Sequence, residues 1–357
     1  MDYFNTVLPA DSVEFCPHTL ATTVFVCGTY KLEQPTPVSQ SSEENTAPAA
    51  PQKRVGKCLV FQVNDDKKSL MCRCHTSASR SPLLAIADSE GHLTLSEWDI
   101  NQGHLNNIAN IACATSDVLC LSLDWSNRRS HVDTIGSVVV SLSNGKLALL
   151  KPENATGLSV TDTWIAHEYE PWVAAWNYWD TNVIYSGGDD LRMKAWDIRQ
   201  GFNRPFSINK HRFNAGITSI QSHPHVEHVV AVGSYDNTVR IYDSRKLLTP
   251  LVQVDVGGGA WRIKWHPSVR RQHDLLVACM HSGFKVVKLA DTWTNIGELT
   301  ATPGESWEIM QRFDKHESLA YGVDWSHAED VKHQDKVQET LIASASFYDC
   351  ALHLWSG

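Results

Sequence analysis

The feature that most constrains this chain is a short strand that keeps returning and keeps ending in tryptophan. Residues 121–125 read LSLDW, 172–176 WVAAW, 261–265 WRIKW and 321–325 YGVDW, and 217–221, ITSIQ, is the same strand without the indole. Trp176, Gln221 and Trp265 are 45 and 44 residues apart. A second apolar run follows, ending in small residues and a turn: VIYSGGDD at 183–190, VVAVGSYD at 229–236, LLVACMHSG at 275–283 and LIASASFYD at 341–349. A third comes at once, as LRMKAWD (191–197), NTVRIYD (237–243), FKVVKL (284–289) and CALHLW (350–355). Period-two alternation of Val, Ile and aromatic residues makes these runs strands.

A unit of about 40–45 residues with four strands and a Trp-Asp ending is the WD-repeat pattern. Its polar residues form a relay: a His before the first strand, an Asp in the hairpin between strands two and three, and a Ser and a Trp on those strands. His167, Ser186, Asp190 and Trp196 fill all four places. His211, Asp236 and Tyr242 fill three in the next unit, and His316, Asp349 and Trp355 three in the last. In each unit the Asp precedes the aromatic by six residues. Buried polar groups persist where they satisfy one another, so these residues are expected to hold the fold rather than to catalyse.

The predicted fold is therefore all-β, a seven-bladed WD-repeat β-propeller occupying residues 1–357 as one domain. Blade one runs from 10–15 through 22–30 to 57–63, and blade two contains 83–98. Blades three to seven span about 118–164, 165–209, 210–255, 257–313 and 315–357. Residues 34–53, rich in Pro, Ser, Gln and Ala, read as a disordered surface loop inserted in blade one. Residues 326–340 read as a charged loop in blade seven. Only 19 residues, 64–82, separate the last strand of blade one from the second strand of blade two. That length holds one strand comfortably but hardly two and a loop, so blade two is incomplete or the chain is a splice or gene variant.

Composition excludes several classes. With 31 Lys and Arg against 40 Asp and Glu the net charge is −9, which argues against nucleic acid and against a membrane surface. No apolar run of about 18 residues exists to span a bilayer. The opening MDYFNTVLPADSVEF has no basic region followed by an apolar stretch, so no secretory signal is expected and Asn154-Ala-Thr156 should stay unglycosylated. The nine cysteines are scattered, and Cys72, Cys74 and His75 lack a nearby fourth ligand. No metal and no cofactor are expected, and reduced thiols suggest a cytoplasmic protein.

Several stretches resemble one WD-repeat family, the diphthine methyl ester hydrolases of diphthamide synthesis. They are ADSVEF (10–15), CGTY (27–30), LSLDWS (121–126), AWNYW (175–179), YSGGDD (185–190), GSYD (233–236), WRIKWHP (261–267), ACMHSGFK (278–285) and YGVDWS (321–326). They spread over blades one and three to seven, and ACMHSGFK and WRIKWHP are far more specific than GSYD. The resemblance implies a carboxylic ester hydrolase. Its substrate would be translation elongation factor 2 bearing a histidine extended by a trimethylammonium and a methyl ester. Other diphthamide-pathway proteins would be further partners.

Ester hydrolysis needs a nucleophile, a base and donors for an oxyanion. No G-x-S-x-G elbow and no H-E-x-x-H is present, so a site must be assembled from the rim and channel of the propeller. Trp172, Trp261 and Tyr321, each four residues before a terminal Trp, suit an aromatic cage for a quaternary ammonium, with Tyr235 on the same face. They serve equally as packing between blades. Asp189 adds negative charge. His281, in a hairpin that lacks the relay Asp, is the candidate base, or simply a surface histidine. Ser282 or water is the candidate nucleophile, with Cys279 the thiol alternative or a buried apolar side chain. Arg262 and the Gly257–Gly259 backbone are candidate oxyanion donors. The alternatives to an esterase are an adaptor that presents a partner protein and an assembly subunit whose Trp-rich rim is an interface.

Overall fold

The computed structural model describes residues 2–33, 53–63, 81–129, 135–153, 157–210, 213–290, 306–328 and 339–357. Seven antiparallel sheets follow one another along the chain. Blade one is Ala10–Phe15, Val24–Leu32 and Arg54–Gln62, and blade two is Leu83–Ala87, His92–Asp99 and His104–Ala112. Blade three is Cys120–Trp125, Val138–Leu142, Lys146–Pro152 and Leu158–Ile165. Blade four is Val173–Trp176, Val183–Gly187, Met193–Asp197 and Ser207–Asn209. Blade five is Ile217–Ser222, Val229–Ser234, Thr238–Asp243 and Val252–Asp255. Blade six is Arg262–Trp265, Asp274–Ala278, Phe284–Leu289 and Trp307–Phe313.

Blade seven holds an element that sequence periodicity misses. Ala320–Trp325, Leu341–Ser346 and Ala351–Ser356 take their fourth strand from the other end of the chain, Asp2–Asn5. Asp2 lies opposite Leu354 and Asn5 opposite Ala351. Four exposed residues have no apolar face to announce a strand.

Apolar residues on facing sheets form the core. Between blades five and six, Val239, Ile241 and Val254 meet Ile263, Leu275 and Val277. Burial of this kind is worth roughly 25 cal/mol per Å² of apolar surface. The recurring tryptophan has a separate reason. Three of the four indole N–H groups donate to a backbone carbonyl of the preceding blade: Trp176 to Asp124 at 3.1 Å, Trp265 to Gln221 at 3.2 Å and Trp325 to Lys264 at 3.1 Å. Acidic and amide side chains tie the same strands together. Asp324 Oδ2 accepts from Phe15 N at 2.8 Å, Asp124 Oδ2 from Trp176 N at 2.8 Å, and Gln221 Oε1 from Trp265 N at 2.7 Å. The repeat thus encodes a blade-to-blade latch.

Two histidines just after the first strand do the same for the turns. His223 Nδ1 accepts from the backbone N–H groups of His225 and Val226, both at 2.9 Å, so Nε2 carries the proton and donates to Gln272 O at 2.8 Å. His266 Nδ1 accepts from Ser268 N at 3.0 Å, and its Nε2–H reaches Thr340 Oγ1 at 2.9 Å. Each imidazole braces its own turn and reaches the next blade.

The relay is complete in blade four: His167 bonds Asp190 Oδ1 and Ser186 Oγ, each at 2.8 Å, and Trp196 Nε1 donates to Ser186 Oγ at 2.9 Å. Blade seven departs from the pattern. His316 bonds Ser344 and Ser346, Ser346 bonds Asp349, and Trp355 Nε1 donates to Ser344 Oγ at 3.1 Å. In blade five His211 lies outside the described residues, and Asp236 is held by Thr238 and by both terminal nitrogens of Arg240. Blades one and two have three strands each among the described residues. An inner strand for blade two would fall within 64–80, outside them. Residues 34–52 of the expected blade-one loop, 329–338 of the blade-seven loop, Cys72, Cys74, His75 and the Asn154–Thr156 sequon also fall outside.

Candidate active site at the channel mouth

The first strands of blades one and three to seven line the central channel, and side-chain alternation sends every second residue into it. Counting back from the terminal aromatic, the residue one before it is Glu14, Asp124, Lys264 and Asp324 in blades one, three, six and seven. This lower level is fully paired. Lys264 Nζ sits 2.5 Å from Glu14 Oε1 and 3.7 Å from Asp324 Oδ1, and Arg128 Nε donates to Asp124 Oδ1 at 2.7 Å. Burial holds the Asp324 carboxyl up at about 7, Lys264 opposing and Glu14 adding to the effect.

The upper level differs. Four residues before the end of the first strand stand Asp11, Leu121, Trp172, Thr218, Trp261 and Tyr321; the blade-five strand ends on Ser222, so the expected Ile217 lies one place off this register. Strand pairing skips a residue here, between Ala10 and Ser12, Cys120 and Ser122, Ile217 and Ser219, and Ala320 and Gly322. The bulged residues are thus Asp11, Leu121, Thr218 and Tyr321. A β-bulge re-aims the residue it leaves unpaired, here toward the mouth.

The rings there form a chain. Trp172 meets Trp261 edge-on at 5.8 Å, Tyr235 lies 5.7 Å from Trp261, and Trp261 stacks on Tyr321 at 4.9 Å with 27° between planes. Tyr321 continues to Phe347 at 5.2 Å and Phe347 to Tyr30 at 5.0 Å. The chain therefore runs from blade four through blades five, six and seven to blade one.

Thr218 donates to Ala260 O, but three other polar groups at this level lack protein partners. The indole nitrogens of Trp172 and Trp261 are buried without a hydrogen bond. Half-buried Asp11 makes no hydrogen bond or ion pair among the described residues. Arg262 contributes only its guanidinium carbon 5.9 Å from the Trp261 ring centroid. Burial raises the Asp11 carboxyl, and Arg262 partly offsets the rise. Burial, followed by the charge of Asp11, pushes the Tyr30 phenol up to about 12 and raises Tyr321. Tyr235 is raised by burial, then by Tyr321, Asp189, Tyr30 and Asp11. One carboxylate is felt by three phenols on three blades. Two buried indole nitrogens and a half-buried carboxylate thus stand side by side with hydrogen-bonding capacity unused within the protein.

Comparison with known proteins places the chain. It is 36% identical to mouse diphthine methyltransferase over 90% of this chain and 68% of that protein, and 34% identical to the human protein over 90% and 73%. The diphthine methyltransferase homolog of Dictyostelium discoideum is 30% identical over 97% of this chain and 96% of its own. The chain belongs to the diphthine methyltransferase family. The profile of the WD domain, G-beta repeat, matches residues 203–243. A chain in the crystal structure of the mitotic checkpoint complex superposes over 100% of this chain and 93% of its own with a TM-score of 0.66, at 12% identity, and so shares the fold.

Of the residues singled out in sequence, this member of the diphthine methyltransferase family brings Trp172, Trp261, Tyr235, Tyr321 and Arg262 together at the mouth. Asp189 is exposed beside them, its carboxylate against Gly216 and its charge felt by Tyr235. His281 is exposed on the blade-six hairpin and touches none of the rings. Ser282 Oγ accepts from Lys285 Nζ at 2.8 Å. Cys279 is 0% exposed within the core between blades five and six, and burial pushes its thiol up to about 12, so it is not a thiolate at neutral pH. Gly257 N donates to Asp255 Oδ1 at 2.8 Å, and Gly258 passes so close to Cys279 O that a Cβ would sit 2.2 Å from it. Two of the suggested oxyanion glycines therefore have structural duties. Asp11 was not singled out. The signal was its register: it holds in ADSVEF the place that Tyr321 holds in YGVDW. Among the described residues no group of His, Cys, Asp and Glu could hold a metal, and no helix is long and apolar enough to cross a membrane.

Proposed function

We propose that the protein hydrolyses the methyl ester of methylated diphthine on translation elongation factor 2, releasing methanol and leaving diphthine for amidation. The relatives' name specifies diphthine and a methyl group; the reading here is that the methyl leaves as its ester is cut by water. The observation that carries it is the aromatic chain at the mouth, which ends on blade one next to the unpaired Asp11. A trimethylammonium cannot donate a hydrogen bond, so ring faces and a carboxylate are what recognise it, each ring contributing about 0.5–2 kcal/mol. In this reading Trp172, Trp261, Tyr235 and Tyr321 form the cage, and Asp189 adds charge at its rim. His281 and Ser282 stand at the same rim as candidates for proton transfer and attack.

The whole chain would act as one domain, with elongation factor 2 as its main partner and other diphthamide-pathway proteins as further ones. We place it in the cytoplasm, where the seven described cysteines, all free, would stay reduced. Intact-protein mass spectrometry of elongation factor 2 carrying the methyl ester, with enzyme well below substrate, tests the reading. Many turnovers, each removing the mass of one methylene group, are expected. Tight binding without a mass change would mean an adaptor.

A further inference from the structure

The trimethylammonium nitrogen and the ester carbonyl of this substrate are bonded to the same carbon. Whatever rings hold the cation therefore bring the carbonyl within a few ångströms of them. Catalytic groups must then lie at the level of the cage, which restricts the choice more than sequence could. Two charged side chains meet that condition. Asp11 is turned to the mouth by its bulge, at the register position of Tyr321. Arg262 follows directly on Trp261 and keeps its guanidinium near that ring. Neither is engaged by another charged group at bonding distance among the described residues, while one level down Glu14, Lys264, Asp324, Asp124 and Arg128 are all paired.

We infer that Asp11 is the general base of the ester hydrolysis and that Arg262 binds the oxyanion. The inference rests on the hydrolase reading above. A water molecule attacks the carbonyl carbon while Asp11 takes one of its protons. The carbonyl oxygen becomes the oxyanion and is met by the guanidinium of Arg262. The C–OCH3 bond then breaks, and the proton held on Asp11 passes to the departing methoxide. Methanol leaves, and the new carboxylic acid loses its proton to solvent. No other reactant is needed. The burial that raises the Asp11 carboxyl also suits a base, since a carboxylate nearer neutrality accepts a proton more readily.

The test uses the full chain and elongation factor 2 carrying the methyl ester. Asp11→Asn should lower kcat by at least about 100-fold, the range usual for a lost general base. The variant should still bind the ester-bearing factor. Asp11→Glu should restore part of the rate, and the acid limb of the wild-type kcat–pH profile should vanish in Asp11→Asn. Arg262→Gln should lower kcat by about 100-fold as well, the range for loss of an oxyanion donor. If Asp11→Asn fails to fold, a single turnover of the wild type in H2(18)O with excess enzyme decides. Label in the Asp11 carboxylate makes it a nucleophile and overturns the inference, whereas label confined to the diphthine carboxylate supports a base when joined with the partial rate of Asp11→Glu. So does Asp11→Asn turnover within a few-fold of wild type, with or without a loss in His281→Ala. A wild type that binds without turning over removes the hydrolase reading itself, a different result from a defect confined to the variant.

Discussion

The latch built on His266 predicts a specific sensitivity to acid. The ring is 2% exposed, its Nδ1 accepts from Ser268 N, and its Nε2–H reaches Thr340. Burial first, and then the charge of Arg271, push its pKa down to about 3. An unfolded histidine titrates near 6.5. Between these values the unfolded chain holds one more proton than the folded one, so stability falls as pH falls. The contribution is complete above about 6.5 and is lost progressively as pH drops toward 3. From pH 7 to pH 5 the loss is about 2 kcal/mol. His266→Gln keeps a donor and an acceptor but has no proton to gain. In urea unfolding followed by tryptophan fluorescence, the stability difference between wild type and variant should shrink by about 2 kcal/mol over that interval. A difference that stays flat from pH 7 to pH 5 would refute the assigned tautomer and the burial argument with it. His223, pushed down to about 4 mainly by burial, should behave alike when replaced by Gln.

Three further outcomes follow from other parts of the molecule. Trp172→Ala and Trp261→Ala should each raise KM for the methylated factor about 3- to 30-fold, the loss of one cation–π face, measurable by the same mass assay. Ser186→Ala strands His167 Nε2 and Trp196 Nε1 in blade four, at a cost of about 1–3 kcal/mol in unfolding free energy, while turnover per folded molecule stays constant. Cys279 should escape iodoacetamide in the native protein at pH 8 and become labelled only in denaturant, as peptide mass spectrometry would show.

What the sequence made legible was what repeats. The Trp-terminated strands and the six-residue spacing from Asp to aromatic led to the sheets and to the blade-four relay, because each copy obeys the same hydrogen-bond geometry. Departures from the repeat were harder. The strand Asp2–Asn5 is exposed along its length and lies far from its partner in sequence, so neither alternation nor spacing marks it. In blade seven Ser346 stands between His316 and Asp349, a substitution that only distances show. The aromatic residues Trp172, Trp261 and Tyr321 share a register that the repeat makes visible, whereas Asp11 holds that register without being aromatic. His281 attracted notice for a missing relay partner, yet exposure rather than partnership decides what such a side chain can reach.

The strand that completes blade seven has a bearing on how the molecule is made. Residues 2–5 are made about 350 positions before residues 351–356 and must wait for them before they can pair. Until then the Asp2–Asn5 segment has no partner strand, and the blade-seven sheet is not complete. Closure of a loop this long is slow compared with hairpin formation, so the seam is joined late, after residues 351–356 have been made. A chain stopped before residue 351 would lack the partner of Asp2–Asn5 and leave that seam open.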